Sequence, residues 1–147
     1  MKRFGFLLIS ISLTFAVFGF SSQSGETSGS LSLQIAQSIQ NIVQSLIPSI
    51  HLDLIILHTV LRKTAHVLEY AVLGISYAVT LLAFKKSLWI TLPIGLGIAL
   101  IDEGLQSFSI ERGPSLIDAL LFDFPGIILG TFFVFLILKI GSKKNVS

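Results

Sequence analysis

Four long apolar runs divide the chain, and each is bounded by charged or small polar residues. The runs cover residues 4–20, 65–84, 88–105 and 116–138. Each is close to the roughly 17–25 residues that a helix needs to cross a bilayer. The pattern therefore predicts an all-α membrane protein with about four transmembrane helices.

The segment between the first two runs, residues 21–64, has a different pattern and is predicted to lie at the outer face. From Leu31 to Ile47 apolar side chains recur at helical spacing, while uncharged glutamine, serine and asparagine fill the other side. Pro48 ends this pattern, and residues 54–61 are again apolar. We predict an amphipathic helix on the outer membrane surface, followed by a short apolar stretch that leads into the second span.

The composition supports integration into a membrane. Hydrophobic residues make up 52% of the 147 residues and charged residues only 12%, whereas a soluble domain carries about 25% charged residues. The net charge of +2 gives no support for a nucleic-acid partner. The absence of cysteine excludes disulfides, thiolate ligands and cysteine nucleophiles. No tandem repeat is present, so residues 1–147 are predicted to form a single domain.

The first apolar run has two interpretations, because Lys2 and Arg3 precede it and small residues follow it. A signal peptide cleaved near Ser21 would show the same features. We favour a retained transmembrane helix, with cleavage as the alternative.

The basic residues predict the orientation, because cations concentrate on the cytoplasmic side of membrane proteins. With the N-terminus inside, the cytoplasmic side holds the larger group: Lys2, Arg3, Lys85, Lys86, Lys139, Lys143 and Lys144. The outer side then holds Arg62, Lys63 and Arg112. Both termini are predicted to be cytoplasmic, and several polar segments that are distant in sequence converge on the outer face.

The stretch from residue 62 to residue 70 carries the densest chemistry of the chain. Arg62, His66, Glu69 and Tyr70 share one side of a helix, with Lys63 beside them. A charge at membrane depth costs roughly 2.5–3.5 kcal/mol, so Glu69 needs a cation or a proton. Two of these residues also have non-functional explanations: Lys63 could extend to lipid phosphates, and His66 could be a packing residue.

Three further groups lie near the outer ends of the third and fourth runs. Asp102 and Glu103 each share a helix face with Gln106. The Ser-x-x-Asp spacing of Ser115 and Asp118 is typical of a polar site or of a helix N-cap.

Asp123 lies deeper in the fourth run, and Pro125 after it predicts a break or kink. Gly126 and Gly130 form a close-approach face for another helix of this chain or for a second copy in a homo-oligomer.

These motifs together resemble the VanZ-like family of small bacterial membrane proteins. The matching elements are Phe20-Ser21-Ser22-Gln23, Arg-Lys-x-x-His-x-x-Glu-Tyr at 62–70, Asp-Glu-x-x-Gln-x-Phe at 102–108, Arg112 with Ser115 and Asp118, and the Gly126/Gly130 pair. The resemblance covers about residues 4–138. It implies a multi-span protein of the bacterial cytoplasmic membrane that is linked to the cell envelope, with no settled reaction. The family takes its name from a member associated with resistance to the glycopeptide teicoplanin. Asp123 stands where the family has an asparagine-like residue.

We assign the outer-face polar residues to two roles. The candidate catalytic residues are His66, Glu69, Asp102, Glu103 and Asp118. The candidate ligand-binding residues are Ser22, Gln23, Arg62, Lys63, Tyr70, Gln106, Arg112 and Ser115. The expected partners are membrane lipids and a lipid-linked cell-wall precursor or glycopeptide. The residues identify no cofactor; a divalent metal is an option because carboxylates with an imidazole suit one, although no complete ligand motif is present.

Three functions are compatible with this pattern to different degrees. The first is an outward-facing site that binds or modifies a cell-envelope or lipid-linked molecule. The second is a non-catalytic structural or interaction protein whose buried ion pairs fix helix packing. The third, an ion or proton transporter, is disfavoured because the cytoplasmic halves of the spans are predicted to be apolar.

Overall fold

A computed structural model describes residues 2–22, 25–108 and 115–144, and these ranges are helical apart from short links, with no β-strand. The elements in chain order are α1 (Lys2–Ser21), α2 (Gly25–Leu46), α3 (Leu54–Ala83), a 3-10 turn (Leu88–Ile90), α4 (Thr91–Gln106), α5 (Leu116–Asp118), a π-helical turn (Ala119–Asp123) and α6 (Phe124–Lys144). The predicted all-α class is confirmed.

Four helical segments of the described ranges are long and apolar enough to cross a membrane. They are Lys2–Ser21, Leu54–Ala83, Leu88–Gln106 and Leu116–Ser142. This confirms the predicted number of spans and their order. The third and fourth predicted runs match their helices closely at the start, at Leu88 and Leu116.

The helix that contains the second span starts before the predicted span start at Ala65, because α3 begins at Leu54. Asp53 caps this helix: its carboxylate accepts hydrogen bonds from the backbone N–H groups of Ile55 and Ile56 at 2.8 and 3.2 Å. The 30 residues of α3 make it about 45 Å long at the 1.5 Å rise per residue. Since the hydrocarbon core is about 30 Å thick, its first turns extend beyond a single span. Residues 54–64 are therefore part of α3, and their place at the outer face stays a prediction.

The amphipathic helix α2 is confirmed, although it starts at Gly25 and not at Leu31. It lies against the first turns of α3, where Gln40 Nε2 donates to the carbonyl oxygen of Leu52 at 2.7 Å. Ala36 is its buried side chain among those described, while Leu31 and Leu46 are exposed. The location of this exposed apolar face on a membrane surface stays a prediction.

Hydroxyl groups join α1 to α3 along most of their antiparallel contact. Ser10 Oγ lies 2.8 Å from Ser76 Oγ and 2.9 Å from Thr80 Oγ1, and Thr14 Oγ1 lies 3.0 Å from the Tyr77 hydroxyl. Beyond them the Arg3 guanidinium stacks 5.5 Å from the Phe84 ring. We call this end of the bundle, with Arg3, Lys85, Lys86 and Lys139, the basic end. The opposite end, where Ser21, Tyr70 and Gln106 lie, is the polar end.

Glycines allow α3 and α6 to approach to backbone contact. A Cβ atom on Gly126 would lie 2.5 Å from the Val67 carbonyl oxygen, and one on Gly130 would lie 2.0 Å from that of Ala71. The Gly-x-x-x-Gly face is thus filled by α3 of the same chain, which decides between the two partners that the sequence left open. Because α3 of the same chain occupies this face, the expected homo-oligomer through Gly126 and Gly130 stays an untested prediction.

Candidate functional site

Asp102 is the centre of a buried network that joins three helices at the polar end. Its Oδ2 atom accepts hydrogen bonds from Ser21 Oγ of α1 at 2.5 Å, from the Tyr70 hydroxyl of α3 at 3.1 Å and from Gln106 Nε2 of α4 at 3.4 Å. The side chains of Asp102 and Tyr70 are fully buried. The predicted convergence of Tyr70, Asp102 and Gln106 is therefore present.

The serine that reaches Asp102 is Ser21, and not Ser22, which the sequence analysis assigned. Ser22 Oγ donates to its own helix, to the Phe18 carbonyl oxygen at 2.6 Å. The helical phase of α1 explains the difference. Ser10, Thr14, Val17 and Ser21 are spaced by four, three and four residues, so they share the face that packs on α3. That spacing was the available signal.

Glu103 ties the end of α4 to the start of the last span. Its Oε2 atom accepts from the backbone N–H of Ser115 at 2.7 Å, and its Oε1 atom accepts from Gln106 Nε2 at 3.4 Å. Ser115 is the N-cap of α5, because its Oγ atom accepts from the Asp118 N–H at 3.2 Å. Of the two explanations for the Ser-x-x-Asp spacing, the cap is thus present, and Ser115 meets Glu103 through its backbone.

The π-helical turn brings two carboxylates of the last span to the side of α3. Asp118 and Asp123 are five residues apart, which in an α-helix would separate them by about 140°. The turn instead closes a five-residue hydrogen bond, with the Phe124 N–H donating to the Ala119 carbonyl oxygen. Pro125 has no N–H to continue an ordinary α-helical ladder at this point. Both carboxylates can therefore meet α3.

The two carboxylates contact two basic side chains of α3, one turn apart. Lys63 forms an ion pair with Asp118, and both side chains are about one-third exposed. The Lys63 ammonium also lies 4.8 Å from the centre of the Phe122 ring. One step deeper, His66 Nδ1 lies 3.3 Å from Asp123 Oδ1, and Asp123 is buried.

The comparison with protein families gives a match over residues 6–138, to a family described as VanZ/LLP1. The chain belongs to the VanZ-like family. No curated protein and no solved structure matches it.

In this VanZ-like chain the acid that contacts His66 is Asp123, a residue absent from the predicted site. Glu69, which was predicted to share one side of the helix with His66, lies half-buried on α3. The position of Asp123 inside the fourth span and its difference from the family pattern are visible in the sequence. That its side chain faces His66 depends on the π-helical turn, which is not visible there. Arg62 is also half-buried on α3, whereas Gln23 and Arg112 lie outside the described residues.

Three buried carboxylate oxygens of this VanZ-like site accept no hydrogen bond in the described part of the chain. They are Asp102 Oδ1, Asp123 Oδ1 and Asp123 Oδ2. Asp123 Oδ1 has His66 Nδ1 as its ion-pair partner at 3.3 Å, so the oxygens of the site without a described partner are Asp102 Oδ1 and Asp123 Oδ2. Buried polar atoms in proteins are nearly always paired. Among the described residues His58 Nε2 and the hydroxyls of Thr91 and Thr131 are unpaired as well, but the unpaired carboxylate oxygens all belong to this site.

A metal centre finds no support in the described ranges, where no group of three or more histidine and carboxylate side chains is arranged to hold one. Toward the basic end the interior is less apolar than predicted. The buried polar side chains there are hydroxyls, those of Ser10, Thr80, Thr91 and Thr131, while the buried carboxylates described lie at the polar end.

Proposed function

We propose that this VanZ-like protein binds or modifies a cell-envelope or lipid-linked molecule at the polar end of the bundle, on the outer face of the bacterial cytoplasmic membrane. The observation that carries the proposal is the set of buried acceptor oxygens on Asp102 and Asp123 that lack donors. A ligand with donor groups would supply the partners that buried polar atoms usually have.

The charge distribution supports an outward-facing site. Arg3, Lys85, Lys86 and Lys139 lie at the end of the bundle opposite Asp102, as the contacts of Arg3 with Phe84 and of Phe135 with Trp89 indicate. Cations favour the cytoplasmic side, so both termini are proposed to be inside and the polar end outside.

The side chains suggest a division of roles. His66 acts as general acid or base and is oriented by Asp123, which contacts its Nδ1 atom. Arg62 and Arg112 supply charge for a phosphate or carboxylate of the ligand, with Arg112 able to bind in bidentate fashion. Lys63 already shares its charge with Asp118. A role in resistance to teicoplanin or another glycopeptide is proposed from the family alone.

The alternative is a non-catalytic protein whose polar contacts only fix helix packing. The Lys63–Asp118 pair and the donors around Asp102 favour this alternative for those particular residues. Breaking a buried polar pair is strongly destabilising, so abundance in the membrane separates the two functions.

His66→Ala is expected to abolish the envelope phenotype while the protein keeps at least about half of its normal membrane abundance. The imidazole is partly exposed, and its described partner is Asp123 at 3.3 Å. Its removal leaves the hydrogen bonds around Asp102 in place. The measurements are immunoblotting of a tagged chain in membranes and glycopeptide susceptibility of the same cells. His51→Ala, an exposed loop histidine, is the matched control and should change neither. Loss of His66→Ala protein from the membrane would favour the structural alternative.

The orientation is tested by single cysteines, which the chain permits because it contains none. Cysteines at Ser22 and Gly113 are expected to react with a membrane-impermeant maleimide on intact cells. A cysteine at Lys86 should react only after the cells are opened. External labelling of Lys86 without labelling of Gly113 would reverse the proposed orientation.

A further inference from the structure

The buried part of the site is rich in acceptors and poor in free donors. Asp102 Oδ2 receives three donors while its Oδ1 atom receives none. Asp123 Oδ1 has the ion-pair contact with His66, and Asp123 Oδ2 has no described partner. Both aspartate side chains are essentially inaccessible to solvent, at 0% and 1% exposure. Leaving acceptors unpaired is costly in such surroundings, so the missing partners should be hydrogen-bond donors.

The neighbouring cations do not supply those donors. The Lys63 ammonium is engaged by Asp118, nearer the surface. The imidazole of His66 contacts Asp123 Oδ1 at 3.3 Å and leaves Asp123 Oδ2 without a donor. His66 is the partly exposed side chain of this pair. An incoming N–H or O–H group would therefore donate to Asp123 Oδ2 beside the imidazole, which keeps its contact with Oδ1.

The charge of the described groups disfavours an anion at this depth. The buried ionisable side chains described are those of Tyr70, Asp102, Glu103 and Asp123, and none of them is a cation. A phosphate placed beside the three carboxylates would meet like charge. The cations proposed for a phosphate, Arg62 and Arg112, belong to other segments, so the ligand would contact the protein through two chemically different parts.

We propose that Asp102 Oδ1 and the Asp123 carboxylate form the binding site for the donor-bearing end of an envelope head group, an ammonium N–H or a hydroxyl O–H. This inference rests on the proposed function, which concerns a cell-envelope or lipid-linked ligand. It adds that recognition depends on hydrogen-bond donors of the head group and not on its phosphate.

Matched phospholipids test this requirement with the full-length wild-type protein. Phosphatidylethanolamine and phosphatidylcholine with the same acyl chains are both zwitterionic, but only the first has N–H donors. Phosphatidylglycerol and phosphatidylmethanol are both anionic, but only the first has free hydroxyls. Lipid retained by the purified protein is measured by native mass spectrometry in each equimolar pair.

The wild type is expected to retain the donor-bearing lipid of at least one pair about fivefold over its partner, the effect of roughly one net hydrogen bond. The first pair identifies an ammonium ligand and the second a hydroxyl ligand. Equal retention within both pairs, or no retention of any lipid, would overturn the inference.

Two variants assign any preference to the site. Asp123→Asn and Asp102→Asn each replace one acceptor oxygen by an N–H donor of similar size, so the preference should fall to about twofold or less. Asp53→Asn is the control, because Asp53 is the exposed cap of α3 and asparagine caps equally well. A preference that survives in both site variants would contradict the assignment. The envelope phenotype of His66→Ala judges the proposed function separately, since it does not depend on which head group is preferred.

Discussion

Gly130→Ala is expected to destabilise the bundle by about 3 kcal/mol, at the upper end of the usual cost of overpacking a core. The added methyl group would lie 2.0 Å from the carbonyl oxygen of Ala71 and 2.9 Å from the backbone nitrogen of Ile75. Both neighbours are backbone atoms of α3 and cannot turn aside as a side chain can. The two helices must therefore separate, which also moves Tyr70 and His66 away from their partners.

Thermal unfolding of the detergent-solubilised protein measures this effect through its single tryptophan. Trp89 packs 5.6 Å from the Phe135 ring of α6, so its fluorescence reports on the same helix assembly. Gly97→Ala is the matched control: nothing lies within 4 Å of its added Cβ, and alanine in a helix is favoured by up to about 1 kcal/mol over glycine. A Gly130→Ala chain as stable as Gly97→Ala would mean that α3 and α6 do not approach as described.

The hydrophobic pattern was sufficient to predict the spans. In lipid the backbone N–H and C=O groups of a span must hydrogen-bond within that span, so a long apolar run can only form a helix. The helix α3 extends beyond the predicted second span for a local reason. The charges at Arg62 and Lys63 looked like a membrane boundary, whereas the helix begins where Asp53 can cap it. An N-cap residue shows where a helix starts, whereas charged residues indicate where a helix leaves the hydrocarbon core of the membrane. In α3 these two positions are separated by about three turns.

The candidate site was predictable only as far as single helices determine it. Tyr70, Asp102 and Gln106 were identified because helical spacing and burial of charge both point to them. To predict the role of Ser21, one must know which face of α1 packs on α3. The spacing of the hydroxyl residues Ser10 and Thr14, which contact α3, indicates that face. Asp123 needed the π-helical turn, which redirects a side chain by a change of helix type. No periodicity analysis based on 3.6 residues per turn could bring it to His66.

The closeness of Gly126 and Gly130 to α3 connects the fold to the site. A Cβ on Gly126 would meet Tyr70 Cβ at 2.8 Å, so the glycine sits directly behind the tyrosine that donates to Asp102. Small residues at a helix interface therefore do more than permit packing in this chain. They set the distance between α3, which carries Tyr70 and His66, and the last span, which carries Asp118 and Asp123.

Asp102→Ala is expected to reduce stability by about 3 kcal/mol or more, since each buried donor left without an acceptor costs about 1–3 kcal/mol. The carboxylate oxygen Oδ2 is the common acceptor for Ser21, Tyr70 and Gln106, which come from three helices. Asp102→Asn should cost only about 1 kcal/mol. Its amide oxygen can take the place of Oδ2, and its amide nitrogen would replace Oδ1, which accepts no hydrogen bond.

Glu103 provides the contrast that makes this prediction specific to geometry. Both of its oxygens accept hydrogen bonds, one from the Ser115 N–H and one from Gln106. In Glu103→Gln the new amide N–H₂ group would face either the Ser115 N–H or the Gln106 amide N–H₂, so two donors would meet. This variant should therefore lose more stability than Asp102→Asn, although both replace a carboxylate oxygen by an amide nitrogen. Trp89 fluorescence melts and membrane abundance of the three variants measure the order. Equal stability of Asp102→Ala and Asp102→Asn would show that the helices are not joined through Oδ2. A Glu103→Gln chain as stable as Asp102→Asn would show that one oxygen of Glu103 is dispensable.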